Sequence, residues 1–361
     1  MIRLIKPYLE LSDVEEEMKG IFDSGIFTKG AYSHEFPEQI ARYTGASHAF
    51  LTTSATTALW MCLKAIGIQP GDEVAVSDFS FPATVNVVED LGAKPVFIDV
   101  DKDTYNMIPE ALEERITPAM KACMFVDALG NPSGVDRIRD ICHAHGMVLI
   151  EDAACGMGSS VNGVKVGNIA DLTCFSFHPR KLITCGEGGA ITTNNDEYAK
   201  FFSYKLNHGA DPATGDYISY GYNFRMAEIP CLMGVKQLET LDAVVAERRE
   251  QQQRYQAALE RLGFKAQSAH DGVYHNMQSI VFTVPEGVSR DGLAAYLKQH
   301  EIESTIGTYC QSACAYYEHK YGDVQPNGHF LQQNTITLPC YHEVDVQAVC
   351  DCCADYIASQ S

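Results

Sequence analysis

Short apolar runs alternate with helical patterns through the first half of the chain. The run AFLTT precedes SATTALWMCLKAIG, whose apolar residues recur at helical spacing, and EVAVSD, KPVFIDV and KACMFVDAL continue the alternation. The helix pattern VDRIRDICHAHG and the apolar strand MVLIED follow. This β-α-β-α order predicts an α/β fold in which helices cover both faces of a largely parallel sheet. Ligands of such sheets bind at the carboxyl ends of the strands.

The rhythm changes after Asp171, where two strand patterns, DLTCFSF and GAITT, lie close together around a glycine-rich loop. A long helical pattern over residues 234–262 then leads away from the sheet. The rest carries the strand patterns SIVFTV and TITLP with two helix patterns, which is typical of a small α+β domain. We therefore predict a large domain over residues 1–240, including the N-terminal segment, and a small C-terminal domain over 241–361 that begins with the long helix.

The charge balance excludes two classes of partner. The 361 residues carry a formal net charge of -20 at pH 7, whereas nucleic acids and anionic membranes require a basic surface. No apolar run approaches the roughly 20 residues that span a bilayer, and the first residues have too short an apolar patch for a signal peptide. We expect a cytoplasmic protein that binds neither nucleic acid nor membrane.

The 13 cysteines are an odd number at scattered spacings, which indicates reduced thiols. Cys350, Cys352 and Cys353, with Cys340 and His342 nearby, form one group that could bind a metal. Structural zinc sites, however, usually combine paired C-x2-C units. The segment VCDCCADYI instead predicts a final helix in which Cys350 and Cys353 share one core-facing side. We predict no metal site.

Two carboxylates end the strand MVLIED, at the edge of the sheet where ligands bind. Side chains alternate along a strand, so Glu151 and Asp152 point to opposite faces. Asp152 could cap a turn or a helix. It could also pair with the protonated ring nitrogen of pyridoxal phosphate (PLP), a cofactor that needs such an anion. The strand alone leaves both interpretations open.

A strand passes into a helix through hydroxyl residues in TTSATTALW. The helix N-terminus and the hydroxyls of Ser54, Thr56 and Thr57 would suit a phosphate, although simple N-capping would explain the same residues. An aromatic residue after the next strand, Phe79 or Phe81 in DFSFPATVNVV, could stack on a planar ring or belong to the core. Each of these features is ambiguous alone.

Lys181 lies in FSFHPRKLITCGEGGAITT, between the two close strands. An isolated loop lysine is normally exposed, whereas a lysine that forms an imine must be held near its cofactor and partly desolvated. Gly186, Gly188 and Gly189 would let the backbone pass close to a bulky ligand, and Ser176 could donate to its phosphate. The chain order of phosphate cradle, stacking aromatic, pyridinium partner and lysine favours a PLP-binding lysine.

These residues stand in segments that resemble the DegT/DnrJ/EryC1/StrS family of fold-type I, PLP-dependent sugar aminotransferases. The segments are SGIFTKG, GDEVAVSDFSFPATVNVVEDLGAKPVFIDVD, VLIEDAACGMGS, FSFHPRKLITCGEGGAITT, NHGA and GYNFRMAE. They cover the large domain almost continuously, while the C-terminal third matches mainly through TLPCYHEV and the final helix. The resemblance implies a mostly parallel seven-stranded sheet sandwiched by helices, followed by a small α+β domain.

The resemblance assigns the cofactor chemistry to three residues. Lys181 would bind the cofactor through an imine and shuttle protons. Asp152 would pair with the pyridine nitrogen, and Phe81 would stack on the ring. Lys181 and Asp152 are therefore the predicted catalytic residues.

The resemblance also implies how the phosphate is held. The backbone of Ala55 and the hydroxyls of Thr56 and Ser176 would contact it from one subunit. Asn223 would reach it from the other subunit, so a homodimer with shared active sites is expected. Arg225 would contact either an acidic group of the substrate or the subunit interface.

Three residues depart from the family pattern. Ala55 replaces a glycine of the phosphate cradle, and Cys155 replaces the glutamine that often follows the aspartate. Asp127 stands where a histidine is common. We keep Asp127, with His178 of the lysine loop, as a candidate substrate residue. The C-terminal motif that often holds a sugar nucleotide also departs, and reads GTYCQSACAYYEHKYG.

The function implied is transamination in two half-reactions. An amino acid, glutamate or glutamine, would load the cofactor as pyridoxamine phosphate (PMP), and a 4-keto or 3-keto sugar linked to a nucleotide diphosphate would accept the amine. A cyclitol ketone as acceptor and PMP-dependent dehydration of a sugar are the alternatives within the family. The related dehydratases carry histidine in place of Lys181.

Two alternatives from other classes are less consistent with the residues. A non-catalytic PLP-binding scaffold would be expected to have lost the lysine, the aspartate or the cradle, and the chain retains all three. A nicotinamide-dependent dehydrogenase would need G-x-G-x-x-G at the first strand-to-helix turn, and the chain lacks that motif there.

Overall fold

The computed structural model describes residues 1–360, and its elements follow the alternation of strands and helices in the sequence. The strands are β1 (His48–Thr52), β2 (Glu73–Ser77), β3 (Phe79–Ser80), β4 (Lys94–Ile98), β5 (Met120–Val126), β6 (Val148–Asp152), β7 (Ser160–Val161), β8 (Val164–Lys165), β9 (Leu172–Ser176), β10 (Gly189–Thr193), β11 (Lys265–Ala266), β12 (Val273–Tyr274), β13 (Ile280–Thr283), β14 (Thr305–Ile306), β15 (Tyr309–Cys310) and β16 (Thr335–Leu338). The helices are α1 (Glu15–Ser24), α2 (Ala31–Thr44), α3 (Ala55–Ala65), α4 (Ala83–Asp90), α5 (Pro109–Arg115), α6 (Val135–Ala144), α7 (Asp196–Lys205), α8 (Glu228–Leu259), α9 (Arg290–Gln299), α10 (Ala315–Tyr321), α11 (Pro326–Asn334) and α12 (Val346–Ser359).

The central sheet has seven strands in the order β1-β10-β9-β6-β5-β2-β4. Strands β4, β2, β5, β6 and β9 pair parallel to one another. Strand β10 runs antiparallel to both of its neighbours, β9 and β1. The predicted mostly parallel, seven-stranded sheet is therefore confirmed. Because β1, β6 and β9 run in one direction, their carboxyl ends meet at the same edge.

Helices cover both faces of this sheet, as the apolar strands predict. On one face α2, α6 and α8 contribute core residues such as Phe36, Ile138 and Val235. On the other face α3, α4 and α7 contribute residues such as Leu59 and Val88. Neighbouring strand residues divide between these two cores because side chains alternate along a strand.

Helix α8 connects the sheet layer with the C-terminal domain. It spans 32 residues without interruption. Its first half packs into the core beneath the sheet through residues such as Val235 and Leu241, and its second half enters the C-terminal core through Tyr255 and Leu259. The domain boundary predicted between residues 240 and 241 therefore falls inside one continuous helix.

The C-terminal domain is built on a four-stranded antiparallel sheet in the order β11-β13-β16-β14. Residues of α9 and α12 pack into its core, as the predicted small α+β domain requires. Helix α12 is the final helix predicted from the sequence. It buries Cys350, Cys352 and Cys353 in that core.

Two small sheets bring the C-terminal part of the chain back to the large domain. Strand β15 pairs with β3, which follows the second strand of the central sheet. Strand β12 pairs with β7, which lies just beyond the carboxyl end of β6. Both returns therefore approach the edge of the central sheet where ligands of this architecture bind.

Three general features of the chain are visible in the structure. None of the helices within residues 1–360 is long and apolar enough to cross a membrane. The same residues hold no group of three or more histidine, cysteine or acidic side chains placed to bind a metal ion. All 13 cysteines are free thiols, and most of them are buried.

Candidate active site

Lys181 lies in the loop between β9 and β10, at the carboxyl edge of the central sheet. Its side chain is partly buried, and its Nζ lies 3.0 Å from the Sγ of Cys155. The backbone N–H of Lys181 donates to the carbonyl oxygen of His178 at 2.8 Å, which closes a tight turn before the lysine. The amine is therefore held beside the turn that follows β6 and does not extend into solvent.

Asp152 ends strand β6 and is only 5% exposed. Its Oδ2 accepts a hydrogen bond of 2.7 Å from the hydroxyl of Thr84, in the first turn of α4. Its Oδ1 accepts from the backbone N–H of Ala154 at 3.2 Å. Burial raises the pKa of Asp152, while these two donors and the positive charge of Lys181 lower it. The structure thus brings the predicted anion and the predicted amine to one site.

The start of helix α3 lies directly against the strands beside it. Gly189 pairs with both Thr52, at the end of β1, and Ser176, at the end of β9. A Cβ atom on Gly189 would lie only 2.6 Å from the carbonyl carbon of Ser54 and 2.7 Å from the nitrogen of Ala55. Only glycine therefore allows the helix to start so close to the strand edge.

This arrangement leaves an anion-binding helix start beside Ser176. Ser54 caps α3 by accepting the N–H of Thr57 at 3.1 Å. The remaining N–H groups of the first turn have no acceptor within the helix. They include the N–H groups of Ala55 and Thr56, and the Thr56 side chain is exposed. Helix dipole and N–H groups together make this position suitable for a phosphate.

The two aromatic candidates after β2 have different surroundings. Phe79 is fully buried and packs edge-on against Tyr105. Phe81 is 64% exposed and lies edge-on to Tyr309, with 6.4 Å between the ring centroids. Phe81 is therefore the one with a face available to a ligand, as the family resemblance implies. Tyr309 belongs to β15, so the C-terminal part of the chain forms one wall beside it.

Asn223 and Arg225 lie in the segment between α7 and α8. Asn223 is exposed and forms an isolated backbone bridge with Asn207. The guanidinium group of Arg225 donates to the side-chain oxygen of Asn207. Within residues 1–360, no hydrogen bond joins Asn223 to the start of α3 or to Ser176. Asn223 of one chain thus makes no hydrogen bond to its own phosphate cradle.

The remaining substrate candidates occupy different positions. His178 is partly buried, and its Nδ1 accepts the N–H of Arg180 at 3.2 Å. Burial lowers the pKa of His178, which favours its neutral form. Asp127 is only 1% exposed, and neither carboxylate oxygen has a hydrogen-bond partner among the described residues. A Cβ on Gly156 would lie 2.2 Å from one of these oxygens, so the turn covers Asp127 and separates it from solvent.

Three carboxylates are buried together at this edge. Burial raises the pKa of Asp127 well above its usual value, and the charges of Glu151 and Asp152 raise it further. Burial also raises the pKa of Glu151, to about 7, although the hydroxyl of Thr173 donates to it at 2.8 Å. Asp127, which lacks a donor, is the carboxyl group that most strongly favours its proton.

Two contacts of the site were not predicted from the sequence. Thr84, which lies 68 residues earlier in the chain, donates to Asp152, and Cys155 contacts Lys181. The hydroxyl of Thr84 in FPATVNVV gives no signal of its partner. Cys155 was visible as a departure from the family pattern, which could have directed attention to it.

The residues present fit PLP. The start of α3 and Ser176 suit its phosphate, Asp152 suits its ring nitrogen, and Lys181 suits its aldehyde. These groups come from the carboxyl ends of β1, β6 and β9, which share one edge of the sheet. This arrangement can hold a phosphorylated, planar, cationic ring next to an amine.

Comparison with known proteins finds similar sequences and folds. The model of the DegT/DnrJ/EryC1/StrS aminotransferase family matches residues 10–355. The chain is 30% identical over 364 residues to the GDP-perosamine synthase of Vibrio cholerae, with 99% of each chain covered. It is 35% identical over 308 residues to the GDP-perosamine synthase of Caulobacter vibrioides, with 84% of this chain and 83% of the relative covered. Its fold matches Spr1654 of Streptococcus pneumoniae, solved in PMP and PLP forms, with a TM-score of 0.90, 25% identity and 98% of each chain covered.

Proposed function

The chain belongs to the DegT/DnrJ/EryC1/StrS aminotransferase family, and on this basis we propose that it transfers an amino group from glutamate to a nucleotide-linked keto-sugar. The cofactor of the family is PLP, with PMP as its amino form. The observation that supports the proposal most directly is the meeting of Lys181, Asp152 and the start of α3 at one sheet edge.

The residues divide the work of the two half-reactions. When bound, the cofactor withdraws electrons from the carbon that loses or gains the amine. Asp152 keeps the ring nitrogen protonated, and Thr84 holds the carboxylate of Asp152 in place. The Nζ of Lys181 would hold the cofactor at rest and, once released, would take and return a proton. Phe81 would cover one face of the ring.

The phosphate is assigned to the start of α3. The N–H groups of Ala55 and Thr56, with the hydroxyls of Thr56 and Ser176, bind it. We assign a further contact to Asn223 of a second copy of the chain. That assignment is supported by the exposed Asn223 and by the neighbouring side chains of Tyr217 and Tyr220, which are also largely exposed in one chain. A homodimer with shared sites is therefore part of the proposal.

The acceptor is assigned from the relatives. Both curated relatives named above act, by their names, in making a GDP-linked amino sugar. We propose that this chain likewise takes a keto-sugar carried on a nucleotide diphosphate, aminated at carbon 4 or 3. His178 and Arg225 are the candidate contacts of its polar groups. A direct contact by Asp127 would require the turn above it to move.

Trapping of the cofactor and identification of the product test the proposal together. Borohydride treatment of the purified holoenzyme should leave a cofactor adduct on the peptide that contains Lys181, detected by mass spectrometry. Lys181→Ala should lose the adduct and at least about 1,000-fold of the turnover with glutamate and a panel of nucleotide-linked keto-sugars. Lys165→Ala, which removes a partly buried lysine bound to Tyr43 and Asp242, serves as control and should retain both.

Product analysis distinguishes the alternatives. An amino sugar with release of 2-oxoglutarate supports the proposal. Loss of water from the sugar without a new amine would indicate a dehydratase instead, and amination of cyclitol ketones alone would change the acceptor. Turnover of Lys181→Ala equal to that of the parent would refute the assigned chemistry.

A further inference from the structure

A glutamine side chain from outside the loop holds the backbone on both sides of Lys181. The Oε1 of Gln278 accepts the N–H of Leu182 at 2.9 Å. The Nε2 of Gln278 donates to the carbonyl oxygen of Arg180 at 2.6 Å. One planar amide therefore bonds to the residue before the lysine and to the residue after it. Gln278 is only 5% exposed, so water does not readily replace these bonds.

A second amide, two residues earlier, holds the other side of the site. The Nδ2 of Asn276 donates to the carbonyl oxygens of Cys155 and Met157 at 2.7 Å and 2.8 Å. Cys155 is the residue whose Sγ lies 3.0 Å from the Nζ of Lys181. The segment 275–278 thus fixes the backbone on both sides of the contact between Lys181 and Cys155.

Helix α8 in turn holds the segment 275–278. A guanidinium N–H of Arg248 donates to the carbonyl oxygen of Gln278 at 2.9 Å, and one of Arg249 donates to that of His275, also at 2.9 Å. Between them Met277 has φ 53, in the left-handed region that residues other than glycine rarely adopt. Such a conformation persists only where its surroundings enforce it, and it is frequent at functional sites.

From these contacts we propose that Gln278 is a positioning residue for Lys181, through which the C-terminal domain sets the place of the reactive amine. The segment 275–278 leads directly into β13, the strand that pairs with both β11 and β16 in the C-terminal sheet. This inference depends on the role proposed for Lys181. It adds that the large domain alone does not hold the amine in position.

The chemistry of the side chain explains why a glutamine serves here. An amide offers one donor end and one acceptor end, and the backbone around Lys181 presents one carbonyl and one N–H to it. A carboxylate could accept the N–H of Leu182 but would face the carbonyl of Arg180 without a proton to donate. An apolar side chain would leave the buried N–H of Leu182 and the partly buried carbonyl of Arg180 without this partner.

Two substitutions compare this role with that of an equally buried glutamine. Gln278→Ala removes the amide that brackets Lys181. Gln251→Ala is the matched control, because Gln251 is also 5% exposed and also bonds to a backbone group distant in sequence, donating to the carbonyl of Tyr341 at 2.8 Å. Both variants are studied as the full chain, first without cofactor and then loaded with PLP.

Hydrogen exchange of the cofactor-free protein measures how often the loop around Lys181 opens. In Gln278→Ala we expect exchange of the peptide spanning residues 178–186 to accelerate about tenfold or more, because local opening no longer breaks the bond to Leu182. In Gln251→Ala the same peptide should stay within about twofold of the parent. Parent-like exchange in a folded Gln278→Ala protein would overturn the inference, whatever the function of the enzyme.

The rate at which PLP attaches to Lys181 reports how well the reactive amine is positioned. The rate of borohydride-stable attachment of PLP to Lys181 should fall about tenfold or more in Gln278→Ala, since small displacements of a reacting group are costly. Gln251→Ala should retain the parent rate. Equal rates in parent and Gln278→Ala would overturn the inference. Absence of attachment at Lys181 in the parent would instead refute the proposed function, and the exchange experiment would still decide the positioning of the loop.

A second variant covers the case in which Gln278→Ala does not fold. Gln278→Glu keeps the acceptor for Leu182 and loses the donor to Arg180 at neutral pH. We expect exchange and attachment rates between those of the parent and a fully loosened loop. Parent-like values for both in this variant would overturn the inference.

Discussion

Glu151 and Asp152 are neighbours on one strand and both are buried, yet they differ in what surrounds them. Asp152 has a hydroxyl donor, a backbone donor and the charge of a nearby lysine. Glu151 has the hydroxyl of Thr173 and the backbone N–H of Gly167, but no lysine or arginine charge among the described residues lowers its pKa. Burial of a carboxylate therefore does not identify a catalytic group. The groups that face a buried carboxylate determine whether it can be catalytic. Because side chains alternate along a strand, these two residues have different surroundings.

The sharpest test of this comparison is the exchange of each carboxylate for its amide. Asp152→Asn should lower kcat/KM about 100- to 1,000-fold, because a neutral partner no longer holds the charge of the ring. Glu151→Gln should retain nearly all of the parent kcat/KM. Steady-state kinetics with glutamate and the accepted sugar measure both. Equal losses in the two variants would show that the two sides of the strand do not differ in function.

The second test concerns the phosphate cradle at the start of α3. Gly189→Ala places a Cβ 2.6 Å from the backbone of Ser54, so the start of α3 must shift. We expect a loss of stability of about 1–3 kcal/mol, measured by urea unfolding. We also expect about tenfold weaker PLP binding, measured by fluorescence titration. Gly20→Ala is the control, because a Cβ there meets no atom within 4 Å. Unchanged PLP affinity in Gly189→Ala would show that the start of α3 does not bind the cofactor.

The third test removes one hydroxyl from each side. Thr84→Val deletes the donor to Asp152, and Thr173→Val deletes the donor to Glu151. Each loss should cost about 1–3 kcal/mol of stability, measured by urea unfolding. Only Thr84→Val should also lower kcat/KM, by about tenfold, because it removes a hydrogen bond that positions the carboxylate of Asp152. A fall in activity of the same size in Thr173→Val would contradict the comparison.

The smallest expected effect is a pH dependence on the Glu151 side. Burial raises the pKa of Glu151 from 4.5 to about 7, so its contribution to stability is complete below pH 4.5 and declines as the pH rises through about 7. Glu151→Gln removes this decline. Relative to the parent it should gain on the order of 1–2 kcal/mol between about pH 5 and about pH 8, measured by urea unfolding at both pH values. Glu113→Gln, at an exposed position, should show no such gain. A difference independent of pH would assign the effect to packing.

The order of elements and the edge that carries the site could be predicted from the sequence. Apolar runs and helical spacing placed the strands of the central sheet, because burial on both faces leaves a strong pattern. Asp152 and Ser176 both end strands of a sheet that was predicted to be largely parallel, and the structure pairs these two strands in parallel. Their meeting at one edge followed from the topology alone.

Contacts between distant parts of the chain could not be predicted. Gln278 reaches Leu182 across 96 positions, and Gln237 binds the N–H of Thr184 across 53. A buried glutamine in a helix or before a strand has no pattern that reveals its partner. The predicted division between residues 240 and 241 falls inside α8, which is uninterrupted there. Asp127 is similar, because nothing in VDALGNPSG indicates that the next turn will cover it.

Strand β10 runs against both of its neighbours, and this has a consequence for motion. The polypeptide leaves β9 at Ser176 and returns beside it at Gly189, so the segment carrying the amine is tethered at both ends to the same short ribbon. Such a tether permits tilting of the whole segment but resists sliding. The place of the Lys181 amine along the sheet edge is therefore fixed by strand pairing at both ends of its loop.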